Sequence, residues 1–250
     1  MNSNHTNKQG FNSVQSFKDT NSDLYKRLSN IKVGKVKFMG KGRGAPKPTY
    51  LITEIEATSS EANKKAILPT RELYSTDKDA YTYAKQNTVP AFYISQDFNG
   101  KPTYIGCLDI DRKYNPDIDF AAVMQELQDI NWIMQIAFSL SNDGFYILFT
   151  YTEGKDHKQA MQAAIDELFL LFGINCDDLR ELSRLRAYSY DPNYYINWNA
   201  TNFDFEEAAA EPRDVKPSKK DSFSDDFANL TAADDYNQRG LAYFNAVIAP

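Results

Sequence analysis

The chain has 250 residues, with 28 Lys and Arg against 34 Asp and Glu and a formal net charge of -6. Hydrophobic residues make up 42%, enough to bury a core, while two cysteines and two histidines, widely spaced, provide neither a disulfide framework nor a four-ligand zinc site. No apolar run approaches the ~20 residues of a membrane span and the polar N-terminus lacks a signal-like stretch, so a soluble, cytoplasmic protein without a membrane partner is expected.

Residues 1–30 hold 15 Asn, Ser, Gln or Thr and are read as a flexible polar segment, with a short helix over 23–28. Residues 31–202 should form the folded domain. Within it 50–55 reads as a strand, and 77–86 as a helix capped by Ser75 or Thr76. A second strand covers 91–95, closed by the Asn99-Gly100 turn, and a third runs from Thr103 to Asp111. Asp119 caps a helix through Leu127. Strands over 132–139 and 145–151 flank Asn142-Asp143-Gly144 as a hairpin. Residues 156–172 form the clearest helix, stopped by Gly173. Hairpins mixed with helices predict an α+β fold. Residues 203–250 read as an acidic, partly flexible tail with a terminal helix over 241–248.

The charge is unevenly placed. Residues 1–202 carry 23 basic and 24 acidic side chains, whereas 203–235 carry 4 and 10. The acidity therefore belongs to the tail and does not exclude a nucleic-acid partner for the rest. Residues 31–48 contain six basic side chains, four glycines and no acid. Lys35, Lys37, Lys41 and Arg43 in this stretch suit a flexible arm that tracks a nucleic-acid backbone, and equally a solvated loop.

Three features carry chemistry. Asp109 and Asp111 close an apolar strand, and residues two apart share a face. Two carboxylates held that way repel, and a divalent cation relieves the repulsion; oxygen ligands of this kind suit Mg²⁺ or Mn²⁺. The same pattern also fits two solvated acids at a strand end. The small-residue turn from Ser139 to Gly144 allows backbone amides to approach a phosphate, or forms an ordinary hairpin. Arg180, Arg184 and Arg186 are either ion-paired surface or forks for phosphate.

The order of these features resembles the catalytic domain of archaeo-eukaryotic primases and primase-polymerases, more closely the branch known as the VirE N-terminal-like domain. The matching segments are Lys85 to Ala91, Leu108-Asp109-Ile110-Asp111, Ser139 to Gly144, and Arg184 to Pro192. The resemblance covers about 80–200. It implies an RRM-like antiparallel sheet flanked by helices, beside an N-terminal α/β unit, with the active site in the cleft. Asp109, Asp111 and a third acid would be catalytic ligands of Mg²⁺ or Mn²⁺, the third being Asp177 or, alternatively, Asp178, with Cys176 nearby. Ser139, Ser141 and Gly144 would border a nucleoside triphosphate, and Arg184, Arg186 and Lys85 would bind its phosphates. Tyr146 stands where many of these enzymes carry His, as a hydrogen-bond donor. The implied activity is template-directed nucleotidyl transfer on single-stranded DNA, in replication of a mobile element or phage, alongside a helicase or other replication protein. A nucleic-acid-binding relative without catalysis, and a nuclease using the same carboxylates, are the alternatives.

Overall fold

The computed structural model describes residues 18–177 and 180–207. Asp178, most of the polar N-terminal segment and the tail beyond Glu207, with its expected terminal helix, lie outside the described residues. The chain order is α1 (Asp23–Asn30), β1 (Lys32–Val36), β2 (Lys47–Tyr50), α2 (Leu51–Glu56), α3 (Glu61–Thr76), α4 (Lys78–Asn87) and β3 (Ala91–Tyr93). Then come β4 (Ile105–Asp111), α5 (Phe120–Glu126), β5 (Ile133–Phe138), β6 (Gly144–Thr150), α6 (His157–Phe172), β7 (Leu185–Ala187) and β8 (Tyr195–Ile196).

Helix starts follow from side chains that satisfy the free amides of a first turn. Ser22 accepts from Tyr25 N–H, Ser60 from Asn63, Asp77 from Asp79 and Ala80, Asp119 from Ala121 and Ala122, and Asp156 from Gln159. The cap of α4 is thus Asp77, one residue beyond the two that the sequence offered. Gly173 ends α6 in the left-handed conformation, as its position after the last apolar residue predicts.

Two antiparallel four-stranded sheets result, ordered β2-β1-β3-β7 and β4-β6-β5-β8. In the second, α5 carries the chain from β4 to β5, and β6 returns between them. Strand β6 is buried along its whole length because both of its faces are covered. Phe145, Ile147 and Phe149 join Leu108 and Ile110 in a core with residues of α5 and α6. Tyr146 and Leu148 point the other way, into a core with Val33, Phe92 and Tyr188 of the first sheet's side. Each fully buried aromatic or aliphatic side chain here contributes about 2 kcal/mol, so β6 anchors both layers.

The structure changes several sequence expectations and adds one helix. Residues 51–55 are helical, with the strand ending at Tyr50, because Leu51, Ile52 and Ile55 recur at helical as well as strand spacing and their burial in the core favours the helix. Residues 61–76, unassigned from sequence, form α3. The basic stretch is a β-hairpin, β1 and β2 paired from Lys32↔Tyr50 to Lys35↔Lys47. The folded unit also begins before residue 31, since Leu28 of α1 is wholly buried.

Candidate active site

Strand β4 delivers its acids to one end of the sheet. Its register with β6 sets Asp109 opposite Tyr146 and Asp111 opposite Gly144. A Cβ at Gly144 would fall 2.6 Å from the Ile110 carbonyl oxygen and 3.1 Å from Asp111 Oδ1, so glycine is what lets β6 lie this close to the β4 backbone beside Asp111. Asp177 arrives from the segment after α6, stitched alongside by a buried asparagine. Asn115 Nδ2 donates to the carbonyls of Asp111 and Asn175, each at 2.9 Å, and Asn115 Oδ1 accepts from Asn175 N–H at 2.8 Å. Asp177 N–H then donates to the Asp109 carbonyl at 2.8 Å. Burial, followed by the Asp111 charge, raises the Asp177 pKa above the usual carboxylate value, against the pull of Lys113 and Arg184.

The opposite wall comes from β7, held by pairing with β3. Arg184 Nη2 lies 2.5 Å from Asp109 Oδ2 and 4.0 Å from Asp177 Oδ2. Arg186 Nη1 donates to Asp109 Oδ1 at 3.1 Å and to Cys107 Sγ at 3.3 Å. Its guanidinium lies over the Tyr146 ring, 3.1 Å from the centroid. Tyr146 does not line the cleft: it is buried between the sheets, with its hydroxyl 3.4 Å from Thr58 Oγ1. Its contribution to the site is thus support for Arg186.

The turn between β5 and β6 is fixed from outside. Arg71 of α3 donates to the carbonyls of Leu140, Ser139 and Tyr190 at 3.0, 3.2 and 2.7 Å. Tyr74 O–H donates to Asp143 Oδ2 at 2.9 Å, and burial ahead of that bond pushes its pKa up to about 12. Asn142 takes φ 61°, a left-handed conformation that asparagine tolerates. Asp191, in the Tyr-Asp-Pro run, accepts from Phe138 N–H at 3.0 Å and secures the end of β5.

These parts enclose a cleft of about 570 Å³. It is lined by Lys85, Asp109, Asp111, Ser139, Ser141, Asp177, Arg184 and Arg186, all singled out from the sequence. Gly144 lies beneath Asp111 and not on the surface of the cleft. Sequence reasoning missed Met39, Tyr74, Arg112, Lys113 and Asp143, which also line it, and Arg71 and Asn115, which brace it. Lys113 follows the acid pair directly and was visible there; Arg71 and Asn115 act across 69 and 60 residues, and nothing local announces them.

The basic cluster divides. Lys35 is tied to Glu54, Nζ to Oε1 at 3.7 Å, and lies over the Tyr188 ring. It serves the packing of β1 on α2. Lys37, Lys41 and Arg43 are exposed on the connection from β1 to β2. That connection is pinned where Gly40 N–H donates to the Gln86 carbonyl at 2.7 Å, beside the cleft residue Met39.

Among the described residues no group of three His, Cys, Asp or Glu side chains is arranged to hold a metal ion by itself. Mg²⁺ is ordinarily held by one or two carboxylates together with substrate phosphates. Asp111 and Asp177 supply such oxygens on one cleft, whereas both oxygens of Asp109 are engaged by guanidiniums. The donor set therefore fits a hard cation that arrives with phosphate, and not a protein-only cage. Comparison with family models, curated proteins and solved structures found no match.

Proposed function

We propose that this cleft performs metal-dependent nucleotidyl transfer of the primase-polymerase kind, adding nucleotides on a single-stranded DNA template. The observation that carries the reading is convergence. Residues 85, 109, 111, 139–141 and 184–186, far apart in the chain and each from a segment that resembles a primase motif, line one cleft together with Asp177, the residue chosen as third acid. The order β4-β6-β5, with α5 and α6 packed on one face, supports the reading of an RRM-like core, to which β8 adds at β5 and not beside β4.

Four carboxylates and five cationic side chains line the space, which suits a ligand that itself combines anionic phosphates with a cation. Arg184 binds and orients the triphosphate, Arg186 adds positive charge from its buried pairing with Asp109, and the Ser139 and Ser141 hydroxyls border the ligand. Met39, Leu140, Leu185 and Ala187 give the cleft an apolar side for sugar and base. Asp111 and Asp177, with Asp109, would hold Mg²⁺ or Mn²⁺. Bound there, the ion would activate the primer hydroxyl and neutralise charge on the departing pyrophosphate. The exposed Lys37, Lys41 and Arg43, on the connection that carries the cleft residue Met39, would supply cations to a template backbone.

The engagement of Asp109 by two arginines favours a second reading, a relative that binds nucleotide without transferring it. Primer synthesis and extension with Mg²⁺ or Mn²⁺, using both deoxy- and ribonucleotides, separates the two. Incorporation that Asp111→Ala reduces by about 10²–10³-fold with the fold retained supports transfer. A wild-type chain that binds triphosphate and incorporates nothing under any of these conditions overturns it.

A further inference from the structure

At the edge of the first sheet opposite β7, two exposed aromatic residues flank one lysine. Tyr50 of β2 is the register partner of Lys32 in β1, so the two side chains share a face. The Lys32 carbonyl points the other way and accepts from Phe98 N–H at 2.8 Å. Lys32 and Tyr50 are therefore a non-hydrogen-bonded pair, the closer kind, and the Lys32 ammonium lies 5.2 Å from the Tyr50 ring centroid. Phe98 stands in the turn from Asp97 to Gly100, on the other side of β1. One strand spacing on either side of Lys32 sets the two aromatic residues about 10 Å apart. Tyr50 is 48% and Phe98 43% exposed, and Lys32 is exposed between them.

Single exposed aromatics are ordinary on a protein surface, but here two converge on a cation. Their surroundings are polar. Asn99 and Lys101 are exposed beside Phe98, and the Asp97 carboxylate is turned inward, accepting from the Asn99 and Lys101 amides at 2.8 Å each. The exposed large aliphatic residues among the described ones, Leu170 and Leu171, belong to α6 and not to this patch. The face that carries Tyr50 and Lys32 also carries Gly34, against which Tyr93 packs. Tyr93 is in turn the register partner of the cleft residue Leu185.

We propose that Tyr50, Lys32 and Phe98 form a stacking platform for single-stranded DNA, with bases on the two rings and phosphates at Lys32 and Lys101. The inference rests on the single-strand binding proposed above and not on catalysis. An unpaired base has free π faces and stacks on either ring whatever its identity, whereas a base in a duplex is already stacked on its neighbours. Lys32 can leave the Tyr50 ring for a phosphate, which opens the ring to a base and keeps the cation in use. A protein partner would need apolar area that this patch lacks.

Fluorescence anisotropy of a labelled oligothymidylate with the full chain tests this without turnover. Tyr50→Ala and Phe98→Ala should each weaken binding about fivefold or more, while Tyr50→Phe and Phe98→Tyr, which keep a ring, stay within about twofold of wild type. Lys32→Ala should lower the salt slope by about 0.7, and the ring substitutions should leave it unchanged. Binding of a duplex of the same length should not respond to either ring substitution. Circular dichroism checks that each variant folds. Unchanged single-strand affinity in the folded double variant Tyr50→Ala, Phe98→Ala overturns the inference, as do equal losses on single strand and duplex, or a wild type that binds no oligothymidylate. Self-association that the double variant abolishes, with single-strand affinity kept, assigns the patch to a second copy of the chain and also overturns it. Incorporation with unchanged single-strand affinity in the double variant would leave the nucleotidyl-transfer reading standing and remove this one. Ring-dependent single-strand binding without incorporation would do the reverse.

Discussion

The sheet β4-β6-β5-β8 brings Asp109 and Asp111 to the cleft, whereas strand β7 of the sheet β2-β1-β3-β7 brings Arg186, with Arg184 just before its first residue. The acids stand where an apolar strand ends, held by local devices: Gly144 opposite Asp111, and Asn115 beside both Asp111 and Asn175. The arginines are held from far away, by the pairing of β7 with β3 and by the ring of Tyr146. The two sheets thus differ in how much their charges depend on each other. Asp111 keeps its place without Arg184; among the described residues its ion-pair partner is Lys113 at 3.6 Å. Asp109 and Arg186 form one buried unit across the sheets.

That difference predicts different costs for two neighbouring aspartates. Asp109→Ala leaves the Arg186 charge buried without its carboxylate and should cost about 3 kcal/mol in urea unfolding. Asp111→Ala loses one exposed pair and should cost less than about 1 kcal/mol. Equal costs would mean that the sheets are not coupled through Asp109. For the same reason Asp111, and not Asp109, is the residue at which loss of chemistry can be separated from loss of fold.

A smaller effect divides the basic residues of the first sheet. Replacing Lys37, Lys41 and Arg43 together by Ala should lower the salt slope of single-stranded DNA binding by about 2, at ~0.7 per phosphate contact. Lys35→Ala should change that slope little, because Lys35 is paired with Glu54 and lies on Tyr188. A Lys35 effect as large as that of the triple variant would show that the template runs over the sheet itself.

The same contrast explains what could be read from the sequence. The α+β class, the strands of the second sheet and the helices around it follow from continuous apolar runs, an Asn-Asp-Gly turn and capping aspartates. All of these are signals within a few residues of each other. The first sheet is built from strands of three to five residues, β1 and β2 rich in Lys, with a Gly in β1 and a Pro in β2, and with partners such as Phe92↔Arg186 far apart in the chain. No local pattern specifies such pairings, and 51–55 was misread because its apolar spacing suits both strand and helix. The site divides likewise. Its members were legible one by one, but the sequence suggested that Asp109 and Asp111 repel each other, whereas the fold gives Asp109 two arginines. Tyr146, expected at the nucleotide, lies beneath Arg186 because it points into the core between the sheets.

The central claim is that charges from both sheets close on one ligand. Calorimetric titration of the full chain with a non-hydrolysable nucleoside triphosphate and Mg²⁺ tests it most directly, with one charge removed from each wall. Asp111→Asn and Arg184→Gln should each weaken binding by about tenfold or more while both variants stay folded. Wild type that binds no triphosphate, or binding that neither variant changes, would contradict the account.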